Sequence, residues 1–173
     1  LVPMLVQRLQ AGNQDIAQNA AHALGLLGPD AKDAAGPLLQ CLHHETLGYH
    51  AGQALGRIGT ASELVVPALT EALKSPSESV CRRSADALGQ IGPEAKSAVP
   101  ALIQVLHERS SDYVRSKAVE ALWRMGPAAQ EAAPVLRKFA NTQRQGWESR
   151  DTELLREYAA KALTILEPEV PRD

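Results

Sequence analysis

The chain has 173 residues, a formal net charge of -2 and a pI near 6.2, a balance that offers no long-range attraction to nucleic acid or to an anionic membrane surface. Aromatic residues make up only 3% of it, which points to a core filled by alanine and leucine in closely packed helices. No apolar run reaches the eighteen or so residues of a membrane span, and no signal peptide is visible. Its two cysteines, Cys41 and Cys81, have neither CxxC nor disulfide-scaffold spacing, so free thiols in a reducing, cytoplasmic compartment are the simple reading.

In chain order, residues 1–10 carry Val2, Leu5 and Leu9 at helical spacing. The chain therefore reads as part of a longer one, opening on half of a helical pair. The apolar face of that half needs cover from preceding sequence or from a neighbour, and self-association through it is one expectation. Residues 11–15 read as a turn, with Asp15 as the N-cap of the next helix. From there the pattern is paired. Helical hairpins are predicted over about 16–43, 47–74, 80–108 and 114–141, then an insertion over 141–153 and a terminal helix over 154–166.

The pair at 80–108 defines the unit. Val80, Ala85, Leu88 and Ile91 line one face of a first helix (A), Gly92-Pro93 interrupts it, and Val99, Leu102, Ile103 and Leu106 line a second (B). Aligning the A helices gives Leu24, Leu55, Leu88, Leu122 and Leu163, with spacings of 31, 33, 34 and 41 by subtraction. Such periods predict a solenoid. The B helices carry Pro3, Pro67, Pro100 and Pro134 ahead of apolar pairs; in the first full repeat Gly36 takes the proline slot, and Leu38/Leu42 match Leu102/Leu106. The excess in the last spacing falls in the insertion, which contains Trp147.

VRSKAVEALWRMGP (114–127) and AVPALIQVL (98–106) resemble the A-helix and B-helix signatures of HEAT repeats, most closely the short HEAT-like class found in phycobilisome (bilin) lyase subunits. The resemblance implies an all-α, right-handed alpha-alpha superhelix, an α-solenoid of helical hairpins, with the B helices lining its concave side. On that side the slot four residues after the proline gives a ladder of Gln7, Gln40, Glu71, Gln104 and Lys138, and the next slot gives Arg8, Cys41, Ala72, Val105 and Phe139. Amides beside small apolar groups suit hydrogen bonding to an extended peptide or a partner helix; glutamine is also simply a good helix former on an exposed face. Charges on the A helices, Arg82, Arg83, Arg115 and Lys117, read as a solvated convex face.

Other features carry less. His43-His44-Glu45 reads as a polar helix end, since consecutive helical residues diverge by about a hundred degrees. A dinuclear-iron hydroxylase family with HEAT-like repeats carries His-Glu dipeptides at matching helix positions, but here Ala51 follows His50 and no A helix has His-Glu. Trp123 replaces the glycine found at 25, 56 and 89, and Trp147 is expected to pack near it or to form an exposed anchor.

The sequence thus predicts a non-catalytic interaction or scaffold module that binds a protein or peptide along the B-helix face, without nucleic acid, membrane, cofactor or metal. Its candidate contact residues are Gln7, Gln40, Glu71, Gln104, Lys138, Phe139 and Trp147. The alternative is a bilin-lyase-like enzyme or lyase subunit acting on a chromophore-bearing protein.

Overall fold

In a computed structural model of the chain, the described residues are 1–59, 63–108, 111–141 and 150–166. They form α1 (Val2–Leu9), α2 (Gln14–Leu27), α3 (Ala35–Cys41), α4 (Leu47–Ile58), α5 (Val65–Ala72), α6 (Glu78–Ile91), α7 (Val99–Glu108), α8 (Asp112–Met125), α9 (Ala133–Ala140) and α10 (Arg150–Leu166). No strand occurs among them. The even-numbered helices are the A helices and the odd-numbered ones the B helices.

The break inside each pair is longer than a Gly-Pro step. Gly92, at φ +78°, ends α6 in a left-handed conformation that a side chain would resist. A seven-residue 3-10 turn follows over Gly92–Ala98, and the same turn recurs at Gly28–Ala34 and Gly126–Ala132. Three residues per turn place alanines three apart on one side. Ala31 and Ala34, Ala95 and Ala98, and Ala129 and Ala132 are accordingly all buried.

This turn changes which helices touch. Successive A helices stack on one another, and each B helix lies closest to the A helix that follows it. Leu24, Leu55, Leu88 and Leu122 are completely buried along the A stack, and Leu38, Leu69, Leu102 and Leu136 along the B row. Each such side chain contributes about 1.5–3 kcal/mol of burial. The stack is tight because of glycine: a Cβ on Gly89 would lie 2.9 Å from the Cα of Ala121.

Several expectations change accordingly. Leu5 and Leu9 need no outside cover, because α2 buries both; the exposed large apolar residues of α1 and α2 and the residue before them are Leu1, Met4, Ile16 and Leu26. The N-cap of α2 is Asn13 rather than Asp15, its carboxamide oxygen accepting from the backbone N–H of Asp15 at 3.0 Å and of Ile16 at 3.2 Å. Leu163 is only half-buried, since no described element packs beyond α10. Trp123 packs against Tyr158 of α10, ring centroids 5.7 Å apart, with the Lys161 ammonium 5.9 Å from the Trp123 ring. Trp147 lies outside the described residues.

Candidate functional site

The B-helix ladder is on the surface. Gln7, Gln40, Glu71, Gln104 and Lys138 are all exposed, and Phe139 is half-buried with the Arg115 guanidinium 5.9 Å from its ring. Two rungs are already engaged within their own helices: Gln104 donates to the Glu108 carboxylate at 2.7 Å, and Glu71 pairs with Lys74 at 2.6 Å. Exposed pairs of this kind are worth at most about 1 kcal/mol.

Three cavities open beside these helices, and residues of the ladder and its neighbouring row line each. The first, about 340 Å³, lies between Leu9, Ala17, Gln40, Cys41, His44 and Leu47. The second, about 180 Å³, is lined by Leu73, Lys74, Ala101, Gln104, Val105 and Glu108. The third, about 270 Å³, takes in Asp112, Arg115, Phe139, Thr152, Leu155 and Arg156.

The repeat relates them. Leu9, Gln40, Cys41 and His44 of the first correspond to Leu73, Gln104, Val105 and Glu108 of the second across 64 residues, the interval from Leu24 to Leu88. Ala17 and Cys41 of the first correspond to Arg115 and Phe139 of the third, and Leu47 to Leu155, in the register of the A-helix leucines. Gln40, Gln104 and Phe139 are therefore brought to cavities, whereas Gln7, Glu71 and Lys138 line none of the three.

No Asp, Glu, Lys or Arg lines the first cavity. Burial pushes the Cys41 thiol up from its ordinary value of 9.0, so the thiol stays protonated and is not an activated nucleophile at neutral pH. The His44 Nδ1 accepts the backbone N–H of Leu47 at 3.3 Å. Among the described residues no group of three or more His, Cys, Asp or Glu is placed to hold a metal ion.

The A-helix face is less solvated than its charges suggest. Arg83 is buried at 8% exposure. Its Nη1 donates to the carbonyls of Leu42 at 2.8 Å and His44 at 3.1 Å, and its Nη2 to that of Glu45 at 2.6 Å, closing the end of the B helix α3. Burial, with Arg82 adding to it and Glu45 opposing, lowers its pKa. Lys117 and Arg124 both bond the nearly buried Glu120 at 2.6 Å, and Arg124 also reaches Asp86 at 3.5 Å. Gln53, Gln90 and, at 3.9 Å, Lys117 also reach Asp86, linking α4, α6 and α8. These charges hold repeats together.

Stacked helical pairs with a continuous apolar seam, and surface cavities repeating in register with it, define an all-α repeat solenoid. A family model described as HEAT repeats matches residues 2–89 and 66–152, and the chain belongs to the HEAT-repeat family. No curated protein matches it.

Solved structures share the fold. The complex of CpcE and CpcF of phycocyanin lyase from Nostoc sp. PCC7120 aligns over 98% of this chain and 66% of the other, at 23% identity and a TM-score of 0.73. An engineered protein aligns over 95% and 78%, at 21% identity and a TM-score of 0.61. Human deoxyhypusine hydroxylase aligns over 96% and 73%, at 23% identity and a TM-score of 0.56.

Proposed function

We propose that the chain is a non-catalytic interaction module that binds a protein or peptide along its B-helix face. The observation that carries this reading is the recurrence of surface cavities beside the same two adjacent B-helix slots, filled by Gln40 and Cys41, Gln104 and Val105, and Phe139. The first two cavities set apolar side chains beside a glutamine amide, and the third sets Phe139 and Leu155 among Asp112, Arg115 and Arg156; a row of such small cavities suits side chains of a bound segment. Nucleic acid and membrane are not its partners in this reading: net charge is slightly negative, and no helix among the described residues is long and apolar enough to cross a membrane.

The test is binding by the chain and by a variant carrying Gln40→Ala, Gln104→Ala and Phe139→Ala. Loss of a bound protein with retained helicity supports the face as the contact surface; equal binding by both rejects it.

A second reading has one observation in its favour, the fold likeness to the phycocyanin lyase complex over nearly the whole chain. It makes the chain a lyase-like subunit acting on a chromophore-bearing protein. Incubation with free bilin and an apo-phycobiliprotein separates the two: a coloured covalent adduct formed only in the presence of the chain supports the lyase reading, and none rejects it.

A further inference from the structure

The third cavity departs from the first in charge, although the repeat places the two at equivalent points. Ala17, Gly48, Cys81, Arg115 and Arg156 occupy one slot of the A helices, seven residues ahead of the repeat leucine by subtraction. The first three are buried. The last two are arginines that stay half-buried, and both line the cavity of about 270 Å³ between α8, α9 and α10. One aspartate, Asp112, lines it with them.

Asp112 does not use up the guanidinium of Arg115. Its carboxylate is divided between two elements: Oδ1 accepts from Arg115 Nη1 at 3.2 Å, and Oδ2 accepts from the Thr152 hydroxyl at 2.7 Å. The first contact is long and single, where a carboxylate set squarely on a guanidinium takes two parallel bonds of about 2.7–2.9 Å. Among the described residues it is the one hydrogen bond that the Arg115 side chain makes, and the Arg115 Nε, though buried, has no partner. The Arg115 side chain is 26% exposed, and its guanidinium lies 5.9 Å from the Phe139 ring. A positive charge drawn this far out of water, with donors left over, is stabilised by an anion that meets them.

Resting on the B-helix reading above, we propose that this cavity binds an acidic side chain of the protein partner. The carboxylate pairs with Arg115, and the methylene stem lies against Phe139 and Leu155, the apolar part of the lining. Arg156 lines the same space from α10 and adds to the positive potential there. The first cavity, with Ala17 in the arginine slot and no charged residue in its lining, has nothing to pair with such a group. The acidic residue of the partner is therefore placed at the α10 end of the face, and its contribution to affinity falls as salt is raised.

Nuclear magnetic resonance on the isotope-labelled full chain tests this, with the backbone amides of Phe139 and Leu155 reporting occupancy. Three probes are titrated: N-acetyl-glutamate N-methylamide, its glutamine analogue, and inorganic phosphate. The glutamate probe is expected to give a saturable shift, and the other two to bind at least about tenfold more weakly. Arg115→Gln is expected to weaken the glutamate probe by a similar factor, after a thermal melt has shown that the fold is kept. Should that variant not fold, a sodium chloride series on the unaltered chain decides: affinity for the glutamate probe falls with salt, and the response to the glutamine analogue does not.

The absence of a shift, an equal response to the glutamine analogue, or an affinity indifferent to both Arg115→Gln and salt overturns the acidic side chain as the ligand. Tighter binding of phosphate overturns it as well, in favour of a simple anion site. If the Gln40/Gln104/Phe139 variant still loses a protein partner in those cases, the B-helix reading stands without the acidic anchor; if it loses nothing, both fall.

Discussion

The guanidinium of Arg83 on α6 lies directly over Gly48 on α4, so that a methyl group at position 48 would collide with its Nη1 and with the carbonyl oxygen of Leu42. A glycine in one repeat thus makes room for an arginine of the next, and that arginine binds three carbonyls at the end of the B helix α3, just ahead of α4.

Two substitutions probe this contact. Arg83→Ala is expected to cost about 3 kcal/mol, because three buried or half-buried carbonyls lose a charged donor. Gly48→Ala evicts the same group, so the two penalties are expected to sum to more than the double variant shows. Urea denaturation of the four proteins measures both quantities; fully additive losses would mean that the contact is not formed.

Trp123 and Tyr158 tie α10 to the array. Trp123→Ala is expected to destabilise by about 2–3 kcal/mol, with the loss of protection concentrated in α8 and α10. Amide hydrogen exchange reads this residue by residue. Equal loosening across α2 and α4 would contradict it.

Leu88 and Leu163 occupy the same slot of the repeat and differ in cover. Leu88→Ala is expected to cost about 2–5 kcal/mol, as completely buried leucines do, and the half-buried Leu163 clearly less. Thermal or chemical unfolding of the two variants orders them; a reversed order would mean that the stack ends elsewhere.

Cys41 gives a pH signature. Its folded pKa stands above the ordinary 9.0, so the native state holds the proton to higher pH than the unfolded chain does. The contribution to stability is present in full below the unfolded value and is lost as pH rises through the folded one. Iodoacetamide should therefore alkylate Cys41 with a midpoint above that of the unfolded chain, measured by mass spectrometry in native buffer and in urea. Coincident midpoints would contradict the burial.

The repeat was legible because its packing is local in sequence. Leucines at fixed positions of every A helix and glycines between A helices express the same stacked geometry, and the structure buries them accordingly. Arg83 was misread as a solvated charge because its acceptors lie 38 to 41 residues earlier. The signal was Gly48 and Gly52, one turn apart on α4 where neighbouring repeats carry side chains; a Cβ on Gly52 would lie 3.5 Å from that of Arg83. The covering of Leu5 and Leu9 was misread for a related reason: the sequence pairs A with the B that follows, whereas the structure pairs B with the following A. The cavities draw on three or four helices each, so periodicity marked Gln40, Cys41, Gln104 and Phe139 as a row without showing that space lies beside them.

The B-helix face is tested most directly by capture from native lysate with the chain as bait, beside the Gln40→Ala/Gln104→Ala/Phe139→Ala variant, after circular dichroism has shown equal helicity. A protein held by the unaltered chain and lost by the variant is the predicted result. Identical sets of captured proteins would contradict the account.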